Sequence, residues 1–138
     1  SLSFEPGDQL VTVSTPAGKL GLSVCYDLRF PELYRELFRS GAELVTVPSA
    51  FTKMTGQAHW EPLLRARAIE NQCFVLAANQ GGVHNETRET WGHSMIIDPW
   101  GAILDSIAEG EGIALAEIDL GAVRNVRANM PIIEHIKL

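Results

Sequence analysis

Cys25 is the side chain of this sequence best placed for nucleophilic chemistry. It ends a strand-like run and stands directly before a segment of helical spacing, where the positive end of a helix dipole and free backbone N–H groups stabilise a thiolate. Arg29, four residues further on, adds a positive charge. A lone cysteine in an apolar strand is more commonly a buried structural residue, and the spacing alone leaves both interpretations open.

Glu61 is a second candidate, as a carboxylate that orients or assists reacting groups. It lies in His59-Trp60-Glu61-Pro62, where a helix is predicted to begin. A carboxylate at a helix N-terminus also has a structural explanation, because it complements the helix dipole and can pair with Arg65 four residues later. The local sequence favours this structural role.

Cys73 and the histidines point to no chemistry. Cys73 begins an apolar run that ends at Ala78 and is predicted to be a core residue. The four histidines show neither the i, i+4 pairing nor the companion cysteines of a metal site. Because Gly81-Gly82 also lacks the phosphate-loop pattern, the sequence predicts no metal and no cofactor.

An alternation of strands and helices is predicted to position these residues. Strands are predicted over 9–14, 19–25, 44–48 and 73–78, and helices over 30–40 and 58–71. The first two strands form a hairpin, and each helix then crosses over to a strand of the buried, parallel type. Cys25 therefore ends a strand of a β-α-β unit, and Glu61 lies near the start of the second crossover helix.

The second half of the chain is predicted to be mostly β-structure. Residues 80–89 are typical of a surface loop, 92–98 and 102–106 of a hairpin, 113–118 of a last strand and 120–129 of a closing helix. No linker or repeat divides the chain. Residues 1–138 are therefore interpreted as a single domain of α/β class.

The composition and the net charge make some classes of binding partner unfavourable. The chain has 138 residues, 11 Lys and Arg against 17 Asp and Glu, and a formal charge of −6, which disfavours nucleic acid and anionic membrane surfaces as partners. No apolar run approaches the roughly 18 residues of a membrane span, and no signal-peptide pattern precedes the first strand, so we expect a cytoplasmic protein. The chain opens on Ser1 inside a loop-like stretch, and we expect it to be a fragment of a longer protein.

The segment from Gly21 to Leu33, with Cys25 at its centre, closely resembles the nucleophile segment of the nitrilase superfamily, the carbon–nitrogen hydrolases. Further segments resemble the family in order and spacing: Pro48-Ser49-Ala50-Phe51, Thr55 to Glu61, Leu64 to Asn71, Gly92-His93-Ser94 and Asp98-Pro99-Trp100-Gly101. The resemblance covers nearly the whole chain. Its details are most similar to the branch that contains deaminated glutathione amidase and ω-amidase.

The resemblance implies a four-layer α-β-β-α sandwich, of which this chain forms about the C-terminal half. It also implies a catalytic cysteine, a general-base glutamate, a lysine and a second glutamate, and here Cys25 matches the cysteine and Glu61 the second glutamate. In the family the base and the lysine lie upstream of the nucleophile, and only 24 residues precede Cys25. We expect the missing N-terminal half to supply them, and the chain alone to be nearly inactive.

The implied reaction is hydrolysis of a small carboxamide beside a carboxylate. Cys25 would attack the amide carbon, ammonia would leave, and water would cleave the thioester. The backbone N–H of Tyr26 and the lysine would stabilise the oxyanion. Phe51, Trp60 and Asn79 resemble pocket-lining parts of the family, with core packing and a polar loop as the alternative interpretation. The resemblance also implies a homodimer.

Two other function classes stay open at this point. A papain-like cysteine peptidase also uses a cysteine at a helix start, together with His and Asn later in the chain, although its local signature is absent. A histidine within hydrogen-bond reach of Cys25 would favour the peptidase, and carboxylates without histidine would favour the amidase. A truncated or degenerate binding module that keeps the pocket is the non-enzymatic alternative.

Overall fold

The computed structural model describes residues 9–85 and 88–137. Its strands are β1 (Thr12–Thr15), β2 (Gly18–Leu22), β3 (Leu44–Thr46), β4 (Phe74–Ala77), β5 (Gly81–Asn85), β6 (Arg88–Trp91), β7 (Ser94–Ile97) and β8 (Ile103–Ile107). Its helices are α1 (Pro31–Arg39), α2 (Lys53–Thr55), α3 (Glu61–Asn71), α4 (Leu120–Asn129) and α5 (Ile132–His135), with a 3₁₀ turn at Cys25–Arg29 and a π-helical segment at Gly56–Trp60.

Six strands form one mixed sheet in the order β1-β2-β3-β4-β7-β8. The central strands β2, β3 and β4 are parallel, and the outer pairs are antiparallel. Because parallel neighbours need a crossover connection, α1 joins β2 to β3 and α3 joins β3 to β4. Both predicted β-α-β units, the first hairpin and the hairpin formed by β7 and β8 are confirmed.

One face of the sheet is covered by α1 and α3. Val45, Val75 and Ile97 lie side by side on this face and are almost fully buried. Helix α1 begins at Pro31, whose fixed φ suits a first helical turn, and Leu37 is among its buried residues. The sheet side chains and the two helices share one apolar core, which forms the rigid layer behind the pocket described below.

The opposite face is covered only in part. Val123 of α4 packs against Leu44 and Phe74 at one end of the strands. Further along, Leu22 on β2 is 40 % exposed, and Leu76 on β4, separated from it by Thr46 of β3 in the same row, is partly exposed. The six-stranded sheet thus has helices on both sides, one side being only partly covered, in agreement with the predicted α/β class.

The prediction of a loop over 80–89 is wrong for the described residues. Strands β5 and β6 pair there as a separate two-stranded sheet, while residues 86 and 87 lie outside the described part of the chain. Adjacent glycines such as Gly81-Gly82 are typical of a turn, but here Gly81 allows a close backbone approach, since a Cβ on Gly81 would lie 3.1 Å from the Cα of Gly92. Glycine inside a strand permits such contacts.

Two further boundaries differ from the prediction. The helix that the sequence predicts from residue 58 is preceded by helical structure that begins at Lys53, first as α2 and then as the π-helical segment. The segment predicted as a strand over 113–118 is not a strand, because residues 112–119 have no regular secondary structure and pair with no strand of either sheet in the described part of the chain. The Leu115 N–H instead binds the Asp105 carboxylate at 2.7 Å. In the described part of the chain, no helix has the length and apolar character of a membrane span.

Candidate active site

The backbone at Cys25 has a conformation that L-residues rarely adopt. Cys25 opens the 3₁₀ turn with φ +40°, in the left-handed region, and its N–H donates to the Pro48 carbonyl at 2.9 Å. Such a conformation costs of order 1–3 kcal/mol in a residue with a side chain, and it is concentrated at functional sites. This backbone conformation turns the chain sharply from the strand into the helical turn, and the thiol is half-buried.

The residues before Cys25 hold this turn against the sheet. Ser23 is buried, its N–H donates to the Thr46 carbonyl at 3.1 Å, and its hydroxyl lies 2.7 Å from the hydroxyl of Tyr34 on α1. Burial raises the pKa of Tyr34 to about 12, so the phenol stays protonated. The carboxylate of Asp27 accepts from the Val24 N–H at 2.9 Å. The turn is therefore anchored to β3, to α1 and to itself.

Tyr26 follows Cys25 in the first part of the turn. The first N–H groups of a helical turn have no acceptor earlier in the same helix, which makes the Tyr26 N–H a suitable donor for a developing oxyanion beside the thiol. The Tyr26 ring is 68 % exposed and packs edge-on against Phe30, with 5.2 Å between ring centroids. The role of the Tyr26 N–H as an oxyanion donor stays a prediction.

Cys25 lies in an open pocket of about 520 Å³ at the carboxyl edge of the parallel strands. The lining residues are Val24, Cys25, Pro48, Ser49, Ala50, Ala78, Asn79, Gln80 and Ser94. They follow β2, β3 and β4, or begin β7. In sheets with parallel strands, ligands bind outside the carboxyl ends of the strands, so the pocket occupies the expected position for a site.

Asn79 is the predicted substrate-binding residue that the structure brings into the same pocket as Cys25. It is 8 % exposed. Its side-chain oxygen accepts from the Phe51 N–H at 2.9 Å, and its side-chain nitrogen donates to the Gly92 carbonyl at 2.7 Å. The Asn79 N–H donates to the Ser94 hydroxyl at 2.9 Å. The amide thus joins the loops that form the pocket wall.

Phe51 and Trp60 lie behind the pocket instead of lining it. Both are buried, with 4.9 Å between their ring centroids, and the Trp60 indole N–H donates to the His93 carbonyl at 2.8 Å. The guanidinium of Arg29 stands 5.3 Å from the centre of the Phe51 ring. These contacts favour the core-packing alternative for the two aromatic residues, which support the pocket wall from inside.

Glu61 is not among the residues that line the pocket. It is the first residue of α3, and its side chain is exposed. Its near neighbour His59 approaches the turn that carries Cys25, with 3.2 Å between the His59 Nδ1 and the Nη1 of Arg29. The start of α3 therefore lies beside the turn that carries Cys25. The catalytic role of Glu61 stays a prediction.

The second cysteine has the opposite surroundings. Cys73 is 1 % exposed, just before β4, and burial raises the pKa of its thiol to about 12. A thiol with this pKa stays protonated at neutral pH and is a poor nucleophile. The prediction that Cys73 is a core residue is confirmed.

Sequence reasoning missed the contribution of Ser49 and Ser94 to the pocket. Ser49 follows β3, so the rule that parallel strands end at the same edge would have placed it beside Cys25. Ser94 begins the antiparallel strand β7, and nothing in its local sequence reveals that it pairs next to β4. None of the described residues lining the pocket is a histidine, and residues 9–85 and 88–137 bring together no group of three potential metal-ligating side chains.

The site combines a half-buried cysteine in a strained strand-to-helix turn with a pocket at the carboxyl edge of the sheet. These are features of α/β enzymes that use a thiol as the nucleophile. The family model of the carbon-nitrogen hydrolases matches residues 1–128. The chain belongs to the carbon-nitrogen hydrolase family. The resemblance seen in the sequence and the α/β fold class are thereby confirmed.

Individual relatives support this assignment. The human protein named deaminated glutathione amidase is 56 % identical over 136 residues, which are 98 % of this chain and 42 % of that protein. The crystal structure of the Caenorhabditis elegans NitFhit protein matches with a TM-score of 0.93 at 51 % identity, over 96 % of this chain and 32 % of that one. The chain spans less than half the length of the curated relatives it matches.

A third relative carries chemical information. A single-residue mutant of the amidase from Nesterenkonia sp. AN1 matches with a TM-score of 0.75 at 31 % identity, over 94 % of this chain and 50 % of that one. Its crystal structure is described as showing the result of Michael addition of acrylamide at the active site cysteine. That enzyme therefore has a reactive cysteine in its active site.

Proposed function

We propose that the protein containing this chain is an amidase that hydrolyses a small carboxamide through a thioester on Cys25 and releases ammonia. The observation that carries the proposal is the strained, half-buried Cys25 in the pocket at the sheet edge, in a chain of the carbon-nitrogen hydrolase family. The human relative named deaminated glutathione amidase supports the same reaction class.

The proposed chemistry uses the groups of the turn directly. The Cys25 thiolate attacks the carbonyl carbon, and the C–O double bond opens to an oxyanion that accepts a hydrogen bond from the Tyr26 N–H. When the tetrahedral intermediate collapses, the C–N bond breaks and the nitrogen leaves as ammonia after receiving a proton. Water then attacks the thioester, so that the carboxylic acid leaves and the thiol is restored.

Both steps need a general base, and the described pocket residues include no carboxylate. A glutamate with a raised pKa can take the thiol proton, deliver it to the leaving nitrogen and later activate water. In our proposal this glutamate and an oxyanion-stabilising lysine come from outside the chain, so that the chain alone is nearly inactive. Glu61 assists from the start of α3.

The proposed substrate is a small amide with a carboxylate nearby. Deaminated glutathione is the first candidate because several relatives with at least 50 % identity carry its name; short ω-amides are the second. A pocket of about 520 Å³ falls in the range of roughly 300–1,000 Å³ typical of small-molecule sites. We further infer a cytoplasmic homodimer without a cofactor.

One observation favours a second candidate, a non-catalytic binding module. The described pocket supplies a cysteine and hydroxyl groups without a base, and such a pocket can bind an amide without cleaving it. The two candidates differ in their products, because only the amidase releases ammonia and passes through a thioester.

The experiment is an ammonia-release assay with the purified full-length protein. Deaminated glutathione, a short ω-amide and a short nitrile are compared, and the covalent intermediate is captured by acid quenching and mass spectrometry. We expect ammonia from at least one amide and an acyl group on the peptide that contains Cys25. Amide binding without ammonia would favour the binding module, and an acyl group on any other residue would reject the proposed mechanism.

A further inference from the structure

One side chain holds the far end of the turn that carries Cys25. Leu28 is fully buried, and its carbonyl oxygen accepts hydrogen bonds from both Nε and Nη2 of Arg67, at 3.1 and 2.8 Å. The last carbonyl groups of a helical turn have no donor within the turn, and 3₁₀ hydrogen bonds are poorer than α-helical ones. Arg67 therefore supplies the hydrogen bonds that this end of the turn needs.

Arg67 is an uncommon residue to bury, and its surroundings accommodate the charge. It is 5 % exposed. Its Nη1 pairs with the Glu70 carboxylate at 2.8 Å, and its guanidinium lies 5.6 Å from the centre of the Tyr34 ring. A buried charge costs several kcal/mol unless it is paired and hydrogen-bonded. Here the guanidinium has a carboxylate, an aromatic ring and the Leu28 carbonyl as partners.

The near end of the turn has its own restraints. The Cys25 N–H binds the Pro48 carbonyl, and the Asp27 carboxylate binds the Val24 N–H. Strained φ angles such as that of Cys25 persist only where the surrounding structure over-determines them. Arg67 adds a restraint from α3, an element that is not part of the turn. Loss of that restraint would leave the buried Leu28 carbonyl without its two donors, so the turn would relax.

We propose that Arg67 is a positioning residue for the reaction of Cys25. Its two hydrogen bonds to the Leu28 carbonyl fix the 3₁₀ turn, so that the thiol stays in the pocket with the Tyr26 N–H beside it. The activity part of this proposal rests on the proposed amidase function, whereas the reactivity of the thiol can be measured independently. Lysine is not an equivalent residue at this position, because a single ammonium group lacks the planar fork of the guanidinium.

The test compares Arg67→Lys with Arg65→Lys in the full-length protein. Arg65 is a matched control because it lies on the same helix, is exposed and donates to a different carbonyl, that of Gly101 at 2.9 Å. Ammonia release and the rate of Cys25 alkylation by iodoacetamide are measured per folded molecule. For R67K we expect kcat to fall about 10²-fold, as for a reacting group displaced by about 1 Å, with KM unchanged and alkylation slowed. R65K should leave all three unchanged.

Wild-type kcat and alkylation rate in R67K would overturn the proposal, and so would equal losses in R67K and R65K. If R67K does not fold, Glu70→Gln provides the second variant, because it keeps the guanidinium and removes its ion-pair partner. We expect a smaller slowing of both rates in E70Q, and wild-type rates there would also overturn the proposal. If the wild-type protein cleaves no amide, the proposed function fails, while the alkylation rates still decide the role of Arg67.

Discussion

A left-handed backbone conformation occurs at Cys25 itself and at the residue before Cys73, yet the two cysteines have opposite environments. Cys25 has φ +40° where β2 passes into a helical turn, and Cys73 follows Gln72, with φ +49°, where α3 passes into β4. Cys25 lines a pocket, whereas Cys73 is 1 % exposed and has a pKa raised to about 12. A left-handed conformation at or next to a cysteine is therefore not sufficient to indicate a reactive site.

The difference comes from the end of the strand at which each cysteine lies. Cys73 lies at the amino end of β4, which α4 covers: Gln72 donates from its amide nitrogen to the Met130 carbonyl at 2.9 Å, and Arg127 donates from Nε to the Gln72 carbonyl at 3.2 Å. Cys25 follows the carboxyl end of β2, where the described residues leave a pocket open. One edge of the parallel strands is closed by packing, and the other is available for chemistry.

The largest expected effect is the loss of activity when Cys25, but not Cys73, is replaced by alanine. Cys25→Ala in the full-length protein should lower kcat by at least about 10⁴-fold, since it removes the nucleophile. Cys73→Ala should leave kcat unchanged and lower the free energy of unfolding by about 1 kcal/mol, as expected for the loss of a small buried group. Ammonia release and urea unfolding are the measurements. A large loss of kcat in C73A, with the fold intact, would contradict the comparison.

A second prediction concerns the labelling of the native protein. Limiting iodoacetamide should modify Cys25 at least about 10³-fold faster than Cys73, because Cys73 reacts only when the core opens and opening costs several kcal/mol. Peptide mass spectrometry over time gives both rates. In concentrated urea, which serves as the control, the two rates should become similar. Native labelling of Cys73 at a rate near that of Cys25 would show that its burial does not protect it.

The sequence predicted most of what distinguishes the two sites. Pro31 and the apolar spacing behind it predicted α1, and the alternation of strands and helices placed Cys25 at a strand end, with the core run beginning at Cys73. The role of Arg67 could not be predicted, because its partner is a carbonyl 39 positions away in sequence and an arginine between alanines is typical of a solvated helix face. The hairpin of β5 and β6 was missed because two adjacent glycines indicate a turn by composition alone.

The raised pKa of Cys73 also makes stability depend on pH. In the unfolded chain this thiol loses its proton near its ordinary pKa of 9.0, while in the folded protein it keeps the proton until about pH 12. The unfolded state therefore binds fewer protons between these values, so the free energy of unfolding falls as pH rises through the window, by up to about 1.4 kcal/mol per pH unit. Well below pH 9.0 this thiol contributes no slope.

Urea unfolding of the wild-type protein and C73A between about pH 8 and about pH 10.5 tests this dependence. The difference between the two curves isolates Cys73, because Tyr34, whose pKa is also raised to about 12, titrates in both proteins. We expect the wild-type advantage over C73A to shrink as the pH rises past 9.0. Parallel curves would mean that Cys73 ionises equally well in the folded and unfolded states.

The smallest expected effect decides whether Glu61 belongs to the surroundings of Cys25. Glu61 and Glu32 are both exposed acidic residues in the first turn of a helix, α3 and α1 respectively, so Glu32→Gln is a matched control for Glu61→Gln. Each change should cost a few tenths of a kcal/mol in stability through the helix dipole.

If Glu61 also assists the reaction, E61Q should lower kcat about fivefold, because an exposed charge contributes at most about 1 kcal/mol. E32Q should not change kcat. Added salt should reduce the difference, since it screens exposed charges, and equal kcat values in E61Q and E32Q at low salt would leave Glu61 with the helix-dipole role alone.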